Sequence, residues 1–275
     1  MNAVGRSVWW VHLVLALAAL AVLFPVAWIV AAGFRTQISL LMGELAFTPV
    51  LLNFEEVLLS KTSDYARNFL NSALVGGLST LLCLAAATLA AYSLQRARWP
   101  GWVSPLVLGW ALVFHMIPPI ALAGAWFTMF RTVGLDNTYA ALVLAHTALN
   151  LPMALWMIGV FVREVPGELL EAARIDGAST PQVLGKVVVP LIAPGLAATG
   201  ILVFVFSWNE FPVALSLSMK QTATVPVAIA KYAQEYEIKY TEMAASAALS
   251  IVPALALLLF GQRYIVKGLT AGAVK

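Results

Sequence analysis

A chain of 275 residues that is 61% hydrophobic and only 11% charged is too apolar for a soluble globular domain, where about a quarter of the residues carry charge. A net charge of +3 and a mean hydropathy of +0.89 do not point to nucleic acid; they point to several membrane spans of about 20 apolar residues each. The single cysteine, Cys83, lies in an apolar run, which rules out an intrachain disulfide and leaves no Cys-based metal site.

The first apolar run, Val8 to Ala32, follows Arg6. It is longer than the apolar core of a secretory signal, about 7–15 residues, so it reads as an uncleaved first span. The joint from Gly33 to Asn68 carries FTPVLLNFEEVLLS, the pattern of an amphipathic helix lying on the membrane surface. A second run, Phe69 to Leu94, ends in QRARWPGW, where Arg96 and Arg98 adjoin two membrane ends and mark the inner face. The third run, Trp102 to Phe130, contains Pro118-Pro119 and is predicted to bend or break there. The fourth, fifth and sixth extend over Tyr139 to Val162, Leu191 to Phe211 and Met243 to Tyr264. Between the last two, KYAQEYEIKY is too polar to span. Runs of this length are helices, because a barrel strand crosses in about 9–11 residues. The predicted fold is all-α, with six transmembrane helices in a single transmembrane domain over 1–275. Basic residues lean slightly toward the side of both termini, which places both in the cytoplasm.

The inner joint from Arg163 to Pro190 stands apart from this pattern. PGELLEAARIDG opens with Pro166, and Glu168 and Glu171 favour the positive end of a helix dipole. Ala172 and Ala173 are good helix formers, and Gly177 is a natural left-handed residue just past a helix end. STPQVLGK then offers Ser179 or Thr180 as N-cap, with Pro181 at the first helical position. The expectation is two short helices at an angle, with alanines near the turn that allow another surface to approach closely. Gly185-Lys186 is no phosphate loop: there is no glycine five residues earlier, and Val187 follows. The chain thus offers no phosphate loop to cradle a nucleotide.

The run EAARIDGASTPQVLGKVVVPL resembles the loop motif of ABC importer membrane subunits, with Glu171, Ala172, Ala173, Gly177 and Pro190 at the matching positions and Val187 and Val189 where Ile and Leu are usual. The resemblance implies a type I importer permease whose loop, about 163–190, is a coupling helix docked in a cytoplasmic ATPase. The C-terminal QRYIVKGLTAGAVK, 262–275, resembles the tail of carbohydrate-importer permeases of the maltose type, in particular the shorter subunit. It implies contact of Gly268, Leu269, Thr270, Gly272, Ala273, Val274 and Lys275 with the ATPase dimer. The implied partners are a second permease subunit, two ATPase subunits that hold ATP and Mg, an extracytoplasmic substrate-binding protein and membrane lipid, with no nucleic acid. The implied setting is a bacterial or archaeal plasma membrane. On this reading the chain is not an enzyme and binds no cofactor or metal itself.

The stretch FVFSWNEFPVALSL places Trp208, Asn209 and Glu210 near the outer end of the fifth span, with Pro212 breaking the helix beyond. An aromatic face with a carboxamide and a carboxylate suits a carbohydrate passage; the same residues also suit an interfacial belt and a hydrated acid. Asn71 and Asn150 are further pathway candidates, equally able to cap helices or bond across them at about 1 kcal/mol. His12, His115 and His146 lack metal-ligand spacing, and the two in mid-span read as packing residues. The alternatives are a permease for a non-sugar solute such as a polyamine or glycerol phosphate, and a secondary transporter. The latter calls for paired broken helices or buried ion ligands.

Overall fold

The computed structural model describes residues 8–233 and 238–271. In chain order the helices are α1 (Val8–Gly33), α2 (Gln37–Leu41), α3 (Leu52–Leu59), α4 (Tyr65–Arg96), α5 (Val103–His115), α6 (Pro119–Thr132) and α7 (Tyr139–Glu164). There follow α8 (Gly167–Ile175), α9 (Thr180–Val183), a π-helical stretch (Leu184–Val188), α10 (Val189–Leu191), α11 (Ala193–Trp208), α12 (Pro212–Leu217), α13 (Val225–Ala230) and α14 (Tyr240–Ala271). α1, α4, α7 and the first part of α14 are long and apolar enough to cross a bilayer unaided. Two bent pairs, α5 with α6 and α9–α10 with α11, bring the number among the described residues to six if each pair is one span.

The bends have local causes. Pro118 precedes Pro119 and is forced out of the helical region, to φ −59° and ψ 133°, so the third span splits into helices at 98°. The second break, of 79°, falls at Ile192 between Pro190 and Pro194, where neither ring nitrogen can continue the ladder. α11 then starts against α7. A Cβ on Gly195 would lie 2.3 Å from the Phe161 ring, so this close approach requires glycine.

The chain divides into two compact units. In the first, 1–66 with 228–252, α1 is exposed from Trp9 to Ile29, as a lipid-facing apolar helix can be. Its C-terminal end is tied down by Asn53, whose amide donates to the carbonyls of Gly33 (2.8 Å) and Arg35 (2.7 Å). Arg35 is buried between the rings of Trp28 and Phe47 and donates to Glu44 O at 2.9 Å. The Tyr65 hydroxyl donates to Ser246 O at 2.9 Å.

The second unit, 67–227 with 253–275, holds two apolar cores. One gathers Cys83, Ala87 and Ala91 of α4, Ala154, Ile158 and Val162 of α7, and Val203 of α11. Alanines at these crossings let helix backbones approach closely, which is what drives packing in lipid. The other joins α6, α7 and α12 around Phe130, Leu142 and Leu217. α14 is continuous to Ala271, past the predicted end of the sixth span at Tyr264; of the tail positions, Gly268, Leu269 and Thr270 fall on its backbone. Gly272, Ala273, Val274 and Lys275 lie outside the described residues.

Candidate functional site

The polar joint of the sequence becomes a compact helical module. α7 ends at Glu164, and after the extended residues Val165 and Pro166 the chain turns into α8. α8 closes in a paired C-cap: Gly177 N–H donates to Arg174 O and Ala178 N–H to Ala173 O, both at 3.0 Å, with Gly177 at φ +82°. This satisfies carbonyls that a helix end leaves open and selects glycine for its backbone. Among the described residues no neighbour lies within 4 Å of a Cβ built there, so the constraint on Gly177 is conformational rather than steric. α9 starts at N-cap Ser179, whose N–H is accepted by Gln182 Oε1 at 2.8 Å in a capping box.

One side of the module packs into an apolar core of the second unit. Leu170 is 4% exposed and packs in the same cluster as Val162, Val165, Val183, Val188 and Ile192. The other side is bare. Glu171, Ala172, Arg174 and Ile175 are exposed, Ala173 is half-buried, and Pro190 is exposed at the start of the 79° bend. Ile175 is 86% exposed, an apolar side chain about 140° round the helix from Leu170 at 3.6 residues per turn. The sequence pattern does not single it out, because it sits among charged residues. Arg96, read from sequence only as a charge at the inner face, also reaches the module: its Nη2 donates to Val162 O at 2.9 Å and to Val165 O.

The pathway candidates divide differently. Trp208 is 3% exposed, edge-on to Phe69 at 5.2 Å and stacked on Phe204 at 5.7 Å. Glu210 is buried, and its two carboxylate oxygens accept from Val213 N–H (2.9 Å) and Ala214 N–H (2.8 Å), capping α12. His146 Nε2 lies 3.5 Å from Glu210 Oε2, and its Nδ1 is 2.7 Å from Ser207 Oγ, which in turn is 3.0 Å from Ser79 Oγ. Hydrogen bonds thus join α4, α7 and α11 inside the bundle, and Glu210, which caps α12, lies beside them. Ser79 and Ser207 were not among the sequence candidates; single serines in apolar runs give no signal until a partner is known.

Asn150 donates to His146 O at 2.8 Å and so lies beside these hydrogen bonds. Asn71 is elsewhere: its amide donates to Gln221 O and Ala223 O, each at 2.9 Å, and its carbonyl accepts from the Tyr139 hydroxyl at 2.8 Å. Of the five pathway candidates only Asn209 has an exposed side chain, which donates to Val205 O. A groove of about 580 Å³ among Gly77, Leu84, Gly200, Phe204 and Gly261 is lined almost wholly by apolar groups and offers little to a hydroxyl.

The family model for binding-protein-dependent transport system inner membrane components matches residues 84–271. The trehalose transport system permease protein SugB of Mycobacterium tuberculosis is 36% identical over 257 residues, covering 92% of each chain. The trehalose/maltose transport system permease protein MalG of Thermococcus litoralis is 36% identical over 262 residues, covering 94% of each. A crystal structure of a bacterial ABC transporter that imports the acidic polysaccharide alginate superposes with a TM-score of 0.75 at 21% identity, over 92% of this chain and 94% of that one.

Proposed function

Because this chain belongs to the family of binding-protein-dependent transport system inner membrane components, we propose that it is one of two membrane subunits of an ATP-driven importer for a sugar or short oligosaccharide. The observation that carries the coupling role is α8 itself. It is a short helix rooted in the bundle by Leu170, closed by Gly177 and bare along Glu171, Ala172 and Ile175. Such a helix is a handle for a partner surface. The sugar class follows from relatives whose names specify trehalose or maltose.

In this mechanism two ATPase subunits grip α8 of this chain and the matching helix of a second permease, and ATP and Mg stay on the ATPases. Their closure displaces α8, and the displacement tilts α7 and α11 from an inward-open to an outward-open pathway. An extracytoplasmic binding protein delivers the sugar, with Asn209 among the side chains at the outer end of α11. Both termini lie in the cytoplasm, which puts α8 on the ATPase side and lets the tail from Gly268 to Lys275 reach the ATPase dimer. ATP moves this equilibrium only as far as its affinity differs between the two states.

The test is the reconstituted importer carrying Glu171→Lys or Gly177→Asp. Binding-protein-stimulated hydrolysis and uptake should both fall at least about tenfold, within the usual range of coupling between sites. Unchanged hydrolysis and uptake in both variants would remove α8 from the coupling role. Calorimetry of the cognate binding protein against a sugar panel tests the substrate class; binding of a polyamine or glycerol phosphate with no sugar bound would refute it.

A further inference from the structure

We infer that Arg96 is a positioning residue of the coupling machinery, locking the joint through which a push on α8 reaches the spans; this rests on α8 being the surface that meets the ATPase. Only Val165 and Pro166 separate the end of α7 from the start of α8. The last carbonyls of a helix have no backbone partners, so a two-residue linker beside them is ordinarily a place to bend. Arg96, the last residue of α4, closes that place. Its Nη2 donates to Val162 O in the last turn of α7 and to Val165 O in the linker, so one planar group binds helix and linker together. The cation also sits at the negative end of the α7 dipole, where its charge is favoured.

A second contact acts on the same joint independently. Leu170 of α8 packs in one cluster with Val162 and Val165. The joint therefore has a polar clamp and an apolar plug. The α4 end that carries the clamp is itself tied to its surroundings: Ser104 Oγ donates to Leu94 O and Trp99 Nε1 donates to Ser93 Oγ, both at 3.1 Å. A displacement of α8 is thus passed to α4, α5 and α7 together rather than absorbed in the linker. A mere marker of the cytoplasmic face would need the charge of Arg96 but not its direction. The geometry uses the direction, which a guanidinium fixes and an ammonium does not.

The experiment uses the whole importer with Cys83→Ala as background and spin labels at Leu144→Cys on α7 and Glu168→Cys on α8. The expected label-to-label distance distribution is narrow, and equally so with and without bound ATP. Arg96→Gln should broaden it, and Arg96→Lys should restore it in part. In proteoliposomes, with radiolabelled trehalose as the probe, Arg96→Gln should raise the ATP hydrolysed per sugar taken up by about tenfold, a loss of coupling of ordinary size. An unbroadened distribution, or an unchanged ratio, overturns the inference, as does loss of the assembled complex in both Arg96 variants. Ile175→Asp in the same assays separates the two readings. If it leaves stimulated hydrolysis unchanged, the assignment of α8 has failed; if it acts while Arg96→Gln does not, only the role of Arg96 has failed.

Discussion

Glu210 shows what a single residue decides here. An acidic side chain near the end of a span suggests a group facing solvent or substrate, yet both of its oxygens are engaged by the first free amides of α12, with His146 beside it. Glu210→Ala would leave those amides buried without an acceptor, at about 1–3 kcal/mol for each unsatisfied group. The purified importer should therefore melt several degrees lower, and Glu210→Gln, which keeps one acceptor oxygen, should lose less. Equal melting of wild type and Glu210→Ala would show that the α12 cap contributes nothing. Gly177 is the opposite case: its φ of +82° could be anticipated from one glycine after a helix-favouring run, because the demand is on its own backbone.

At the scale of the element, α8 divides its work between two faces. Leu170 anchors it and Ile175 presents it. Leu170→Ala removes a buried side chain at about 2–5 kcal/mol and should speed amide hydrogen exchange across Gly167–Ile175. Ile175→Ala should leave that exchange as it is while weakening stimulated hydrolysis. If instead the Ile175 variant accelerates exchange and the Leu170 variant does not, the two faces have been assigned the wrong way round. The start and stop of α8 and the start of α9 were legible from Pro166, Gly177, Ser179 and Pro181, since caps are set within a few residues. The face that would be buried was not: α8 is too short for its own apolar pattern to choose between Leu169, Leu170 and Ile175.

At the scale of the molecule, the expected topology is checked by membrane-impermeant thiol labelling on a Cys83→Ala background. Glu168→Cys should react in inside-out vesicles and Lys61→Cys in right-side-out vesicles; the reverse pattern would invert the orientation and put α8 on the wrong side for an ATPase. The sequence by itself determined that the chain is helical and membrane-spanning, where its apolar runs lie, and that a capped polar module interrupts them. Hydropathy, proline and glycine act over a turn or two of chain, so they can be read in one dimension. The tertiary structure alone decided the sizes of the 98° and 79° bends, the pairing of His146 with Glu210 across 64 positions, and the hold of Arg96 on the end of α7. Those contacts join residues far apart in sequence, and a polar group in lipid takes whichever partner packing brings within reach.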